Sequence, residues 1–134
     1  MNFRLVAWLL GYMAAAIGMT FLPSVGWAVY FGEWPVIPGI LVATAIVWLV
    51  ALIFFLIGKH ATSSFFQREA LLVVLCSWIL AGLLGALPFL TTGTIAGVHA
   101  FFESFSGFTT TGSTILDDIE ALPRSILFWR SMTH

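Results

Sequence analysis

The sequence predicts an all-α integral membrane protein: three transmembrane helices, a re-entrant helix followed by an extended polar loop, and the start of a fourth transmembrane helix. Three observations carry this reading. The chain is 60% hydrophobic and 8% charged, with mean hydropathy +1.06, whereas soluble domains are about 25% charged. Apolar runs at 5–22, 40–57 and 71–87 approach the roughly 20 residues that a helix needs to cross a hydrocarbon core about 30 Å thick. At 105–114 the oily pattern gives way to glycine, serine and threonine without a single charge.

The run 5–22, preceded by Arg4 and followed by Pro23, is the first span. A signal peptide, with Arg4 as its basic region and Ala14, Ala15 and Ala16 as its cleavage site, is the weaker reading because 21–31 stays apolar. Segment 24–38 holds Gly26, Gly32, Pro35, Pro38 and the lone charge Glu33. It is expected to form a turn carrying interfacial Trp27, Tyr30 and Trp34. The second span, 40–57, ends at Gly58, Lys59 and an interfacial His60; a polar link at 61–69 then leads into the third span, which Pro88 is expected to close. Lys59 and Arg68 fall on the same side as Arg4, and the first loop has no Lys or Arg, so the amino terminus is assigned to the cytoplasm. The chain thereby divides into a helix pair at 1–66 and a helix, loop, helix unit at 67–134. A net charge of -1 offers no basic patch and sets nucleic-acid binding aside. The lone Cys76, inside an apolar run, reads as a packing residue.

Residues 95–116 contain no Lys or Arg and admit a straight fourth span. That span would place Glu103 near mid-membrane, at about 2.5 to 3.5 kcal/mol on insertion scales. It would also force a run of Thr and Gly into helix, which both residue types disfavour. A half-length helix at 97–108 followed by an extended return to the same face costs less. Irregular backbone at that depth requires protein or a water-filled cavity to receive it, so the half-helix implies a pore. Its carboxyl end would aim about half a negative charge at the bilayer centre, which suits a cation losing its water. In the extended stretch, main-chain carbonyls can replace a hydration shell, and Gly112 can take φ values closed to other residues.

Glu103 is expected to hold the extended strand by hydrogen bonds from behind the half-helix, direct ion ligation being the alternative. Asp117, Asp118 and Glu120 would lie outside, either concentrating cations or forming a solvated loop. Arg124 and Arg130 fall on that outer side, against the charge rule and with no pairing visible in the sequence. His99 reads as an outer interfacial side chain, without a second His or Cys nearby to make a metal site. Trp8, Trp48, Trp78 and Trp129 read as interfacial or packing residues.

Residues 100–114, Ala-Phe-Phe-Glu-Ser-Phe-Ser-Gly-Phe-Thr-Thr-Thr-Gly-Ser-Thr, together with 122–134, resemble the first pore repeat of bacterial Trk-type potassium uptake proteins, the TrkH group. The resemblance implies four helix, pore-loop, helix repeats around one ion path, preceded by an extra helix pair. It implies that Gly112 is the filter glycine and that the carbonyls of Thr110, Thr111 and Gly112 line the path, with Thr109 and Ser113 at its ends. It further implies potassium as the transported substrate, no resident cofactor, and a homodimer in the lipid of the bacterial inner membrane. A cytosolic, nucleotide-binding TrkA-like subunit would regulate it. This sequence reaches only into the first repeat. Residues 127–134 read as the opening turns of a helix with no stop signal, so a longer chain is expected.

Two other classes remain. A non-conducting accessory membrane protein would carry a straight helix at 95–116, with 109–114 as a small-residue packing face. A membrane enzyme would need a nucleophile and base, a metal-ligand cluster or a phosphate-cradling glycine loop; the sequence offers none, and no catalysis is expected.

Overall fold

The computed structural model describes residues 2–59 and 67–134. Six helices appear in that range: α1 (Phe3–Tyr30), α2 (Ile37–Gly58), α3 (Gln67–Gly85), α4 (Leu87–Thr91), α5 (Gly97–Phe108) and α6 (Arg124–Thr133). The expectations for His60 and for the link at 61–66 lie outside the described residues.

Helix α1 opens on Asn2, whose Oδ1 accepts from the Leu5 N–H at 3.2 Å. It does not stop at Pro23, as the sequence reading had it, but runs through it for 28 residues. Proline removes one donor and crowds the carbonyl four residues back. Here, Phe21, Ser24 and Ala28 are buried on both sides of that defect, and their packing carries the helix past it. Trp27 and Tyr30 therefore ride the last turns of α1, and the connection to α2 shrinks to residues 31–36. Glu33 sits in that connection, where its N–H donates to the Ala28 carbonyl at 2.8 Å.

Pro88 likewise does not end the third span. It occupies the first turn of α4, where a missing N–H costs no helical bond, so α3 and α4 act as one apolar stretch, Gln67–Thr91. With α1 and α2 this makes three helices long and apolar enough to cross a membrane. Outward-facing Leu49, Leu52, Ile53 and Leu56 stay exposed, as suits a lipid-facing surface. The chain is a multi-pass membrane protein.

Lipid tails are as apolar as leucine, so these helices associate by close packing rather than by escape from water. Gly18 lies against the Trp48 ring and Gly58 against Trp8, with no space for a Cβ at either. The core joins Ala14, Ile17 and Phe21 of α1 to Ile40, Ala43 and Val47 of α2, and to Ala81, Ala100, Ile126 and Trp129 from the later elements.

Candidate functional site: a short helix and the strand folded back on it

Helix α5 begins at Gly97, after an extended Ala96, and lasts 12 residues. At about 1.5 Å per residue it is roughly 18 Å long, about three-fifths of the thickness of a hydrocarbon core. It is seated on α3 where Gly82 and Gly85 expose bare backbone. The Phe105 ring lies over Gly82, and Phe108 with Ser104 lies over Gly85, closer than any Cβ would permit. Trp129 of α6 is 1% exposed and locks the same corner, its indole N–H donating to the Gly85 carbonyl at 3.1 Å.

The helix stops at Phe108, which excludes an unbroken rod through 95–116. Its end is a Schellman turn: the Thr110 N–H reaches the Gly107 carbonyl at 2.8 Å and the Thr111 N–H reaches that of Ser106 at 3.0 Å. The left-handed residue of this turn is ordinarily glycine; here it is Thr110, at φ 56°. A β-branched side chain in that region is strained, by about 1–2 kcal/mol. Sequence reasoning assigned special backbone freedom to Gly112, which does have φ 70°, and missed Thr110.

Beyond the turn the chain doubles back along α5. Ser106 Oγ donates to the Ser113 carbonyl at 2.6 Å, directing that oxygen toward the helix. One turn nearer the start of α5, Glu103 Oε1 accepts from Thr114 Oγ1 at 2.6 Å and from the Ile115 N–H at 2.9 Å. At the turn, the Thr109 hydroxyl donates to the Phe105 carbonyl at 2.7 Å and lies 2.9 Å from that of Thr111. The supporting side chains are buried, with Glu103 at 0% and Ser106 at 6% exposure, while Thr109, Thr110, Thr111, Gly112 and Ser113 are exposed. The result is an exposed segment, 109–113, braced from behind by buried side chains.

The second oxygen of Glu103 pairs with Arg130 Nε at 2.9 Å. This answers the arginine that the sequence left unpartnered. The signal available beforehand was a carboxylate and an arginine that both lacked a counter-charge. Arg124, the other such residue, places its guanidinium 4.5 Å from the Phe31 ring centroid. Its N–H and that of Ser125 donate to Glu33 at 2.6 and 3.0 Å, and Ser125 Oγ adds a bond at 2.6 Å. Burial pushes the Glu33 carboxyl up, but these bonds from Ser125 and Arg124, with the Arg124 charge, outweigh it and hold the group below its ordinary value.

Among the acids that follow the strand, Asp118 accepts from the Glu120 and Ala121 N–H groups in a local turn, at 3.1 and 3.3 Å. His99 is exposed at the start of α5. No group of three or more metal-ligating side chains occurs among the described residues. Chemically, a cation would meet peptide dipoles already held in place, near the negative end of a helix. One such strand covers only one side of an ion.

No family model matches the chain. The Trk system potassium uptake protein TrkH of Halomonas elongata is 33% identical over 134 residues, covering 97% of this chain and 27% of that protein. TrkH of Escherichia coli is 48% identical over 68 residues, covering 49% of this chain and 14% of that protein. The crystal structure of the potassium transporter TrkH from Vibrio parahaemolyticus superposes with a TM-score of 0.92 at 27% identity, covering 99% of this chain and 29% of that one. The chain thus spans about a quarter of the length of the relatives it matches end to end. In sequence and in fold, it matches the amino-terminal region of the TrkH group of Trk-type potassium uptake proteins.

Proposed function

We propose that this chain supplies one of four filter loops to a potassium-conducting path in a Trk-type uptake system. The observation that carries the reading is the end of α5 at Phe108 followed by a strand that returns along it, tied to Glu103 and Ser106. In this reading α5 is a re-entrant pore helix, and the carbonyls of Thr110, Thr111 and Gly112 face the path, with Thr109 and Ser113 at its ends. A potassium ion sheds water as these oxygens replace its shell. Because buried side chains already hold the strand, little reorganisation is needed when the ion arrives. Glu103 is filter support rather than an ion ligand, since both of its oxygens are engaged by protein donors.

Residues 1–66 are the extra helix pair and 67–134 the first pore repeat. By the positive-inside rule Arg4, Lys59 and Arg68 put the amino terminus on the cytoplasmic side, and the bacterial inner membrane follows from the TrkH resemblance. A TrkA-like regulatory ring and homodimerisation follow from the TrkH resemblance alone. Transport without catalysis is the activity assigned, in keeping with the names of the relatives.

The test grafts these 134 residues onto Halomonas elongata TrkH in place of the matching quarter, in cells lacking their own potassium uptake. Growth at low potassium is expected. Gly112→Ala meets no atom within 4 Å, so its effect is conformational: a Cβ at φ 70° costs about 1–2 kcal/mol. That strain displaces the strand, and potassium over sodium discrimination is expected to fall about 5- to 30-fold. Unchanged discrimination refutes the filter assignment.

A further inference from the structure

The pore reading leaves Glu33 without a task. It stands in the short turn between α1 and α2, yet its carboxylate accepts three hydrogen bonds from the first turn of α6, 91 and 92 residues further along the chain. Helix α6 has Pro123 at its N-cap, which offers no side-chain acceptor, so its first N–H groups need a partner from elsewhere. The Glu33 carboxylate fills that place and lays its charge at the positive end of the helix. Two ring contacts continue the seam below it. Trp27 stacks on Phe128 at 5.0 Å and 16°, and Phe21 meets Trp129 edge to face at 4.6 Å. Further along α6, Arg130 holds Glu103, and Glu103 holds Thr114 and Ile115 at the far end of the strand.

We infer that Glu33 is a positioning residue for ion selection: it seats α6 at the height where Arg130 meets Glu103, so the amino-terminal helix pair sets the filter strand from outside the pore. This rests on the filter reading above. Arg124 is the charged side chain that faces Glu33 across the junction, and the lowered carboxyl value keeps Glu33 ionised as it does so. The relay runs through three hydrogen bonds at Glu33, the single Arg130–Glu103 pair, and two bonds from Thr114 and Ile115 to Glu103.

The experiment uses the Halomonas elongata graft and compares Glu33→Gln, Arg130→Gln and the double variant. Hydrogen exchange followed by mass spectrometry over the start of α6 should be about fivefold faster in Glu33→Gln, because glutamine keeps one acceptor oxygen and turns a donor toward the remaining N–H. Its potassium over sodium ratio should fall by at least about fivefold, while maximal uptake changes by less than about twofold; a merely structural cap would lower uptake and leave the ratio alone. Because Glu33 acts through Arg130, adding Glu33→Gln to Arg130→Gln should lower the ratio by less than about a further twofold. Glu33→Asp, which keeps the charge, should restore part of the ratio. Unaltered exchange, an unaltered ratio, or effects that simply multiply would each overturn the inference. A graft that moves no potassium with Glu33 intact refutes the filter reading instead, and the exchange arm still reports the seat.

Discussion

Glu103→Gln puts the bracing of the strand to a quantitative test. The carboxylate is 0% exposed and takes three bonds, from Thr114 Oγ1 at 2.6 Å and from the Ile115 N–H and Arg130 Nε at 2.9 Å each. Glutamine keeps one oxygen for Thr114 and Ile115 but turns an amino group toward Arg130, donor against donor. Breaking a buried ion pair costs about 3–5 kcal/mol, and a hydrogen bond to a charged group contributes about 1.5–3 kcal/mol. The Arg130 side chain retains 16% exposure and can turn partly to water, so the lower range applies. The expected loss is about 2–3 kcal/mol, read from unfolding in mixed micelles by tryptophan fluorescence. The double variant Glu103→Gln with Arg130→Met strands no cation and should cost less than the sum of the single losses by more than about 1 kcal/mol. A loss below about 0.5 kcal/mol, or strict additivity, would refute the argument that this pair braces the strand.

Three further outcomes follow from the geometry. Thr110→Gly relieves a left-handed threonine and should stabilise the chain by about 1 kcal/mol in the same unfolding assay; destabilisation would show that the threonine is not strained. Trp129→Phe removes the donor to the buried Gly85 carbonyl and should cost about 1–2 kcal/mol, whereas a neutral result would mean that the hydrogen bond contributes nothing. Because the Glu33 carboxyl lies below its ordinary value of 4.5 in the folded chain, the stability it adds is present above pH 4.5 and lost as pH falls through the lowered value. The Ser125 amide shift in NMR should therefore hold constant from neutral pH to 4.5 and move only below it. A midpoint above 4.5 contradicts the seat.

Local composition made much of this molecule legible. Three apolar runs of spanning length gave the number and order of the long helices. The step from Phe108 into three threonines and a glycine marked where α5 ends, because those residues give up the most freedom in a helix. Gly112 was legible as a left-handed position for the same reason. These are properties of a residue and its near neighbours, and periodicity and propensity report them.

What the tertiary structure decided lies at longer range. Pro23 and Pro88 read as stops, yet the packing of Phe21 and Ala28 outweighs one, and the other sits where α4 begins and its missing N–H is harmless. The partners of Arg130, Trp129 and Ser125 stand 27, 44 and 92 residues away in sequence, at Glu103, Gly85 and Glu33. No window of sequence holds both members of such a pair. A buried carboxylate or an uncapped helix announces that it needs a partner; which residue answers depends on where the chain returns once its helices have packed.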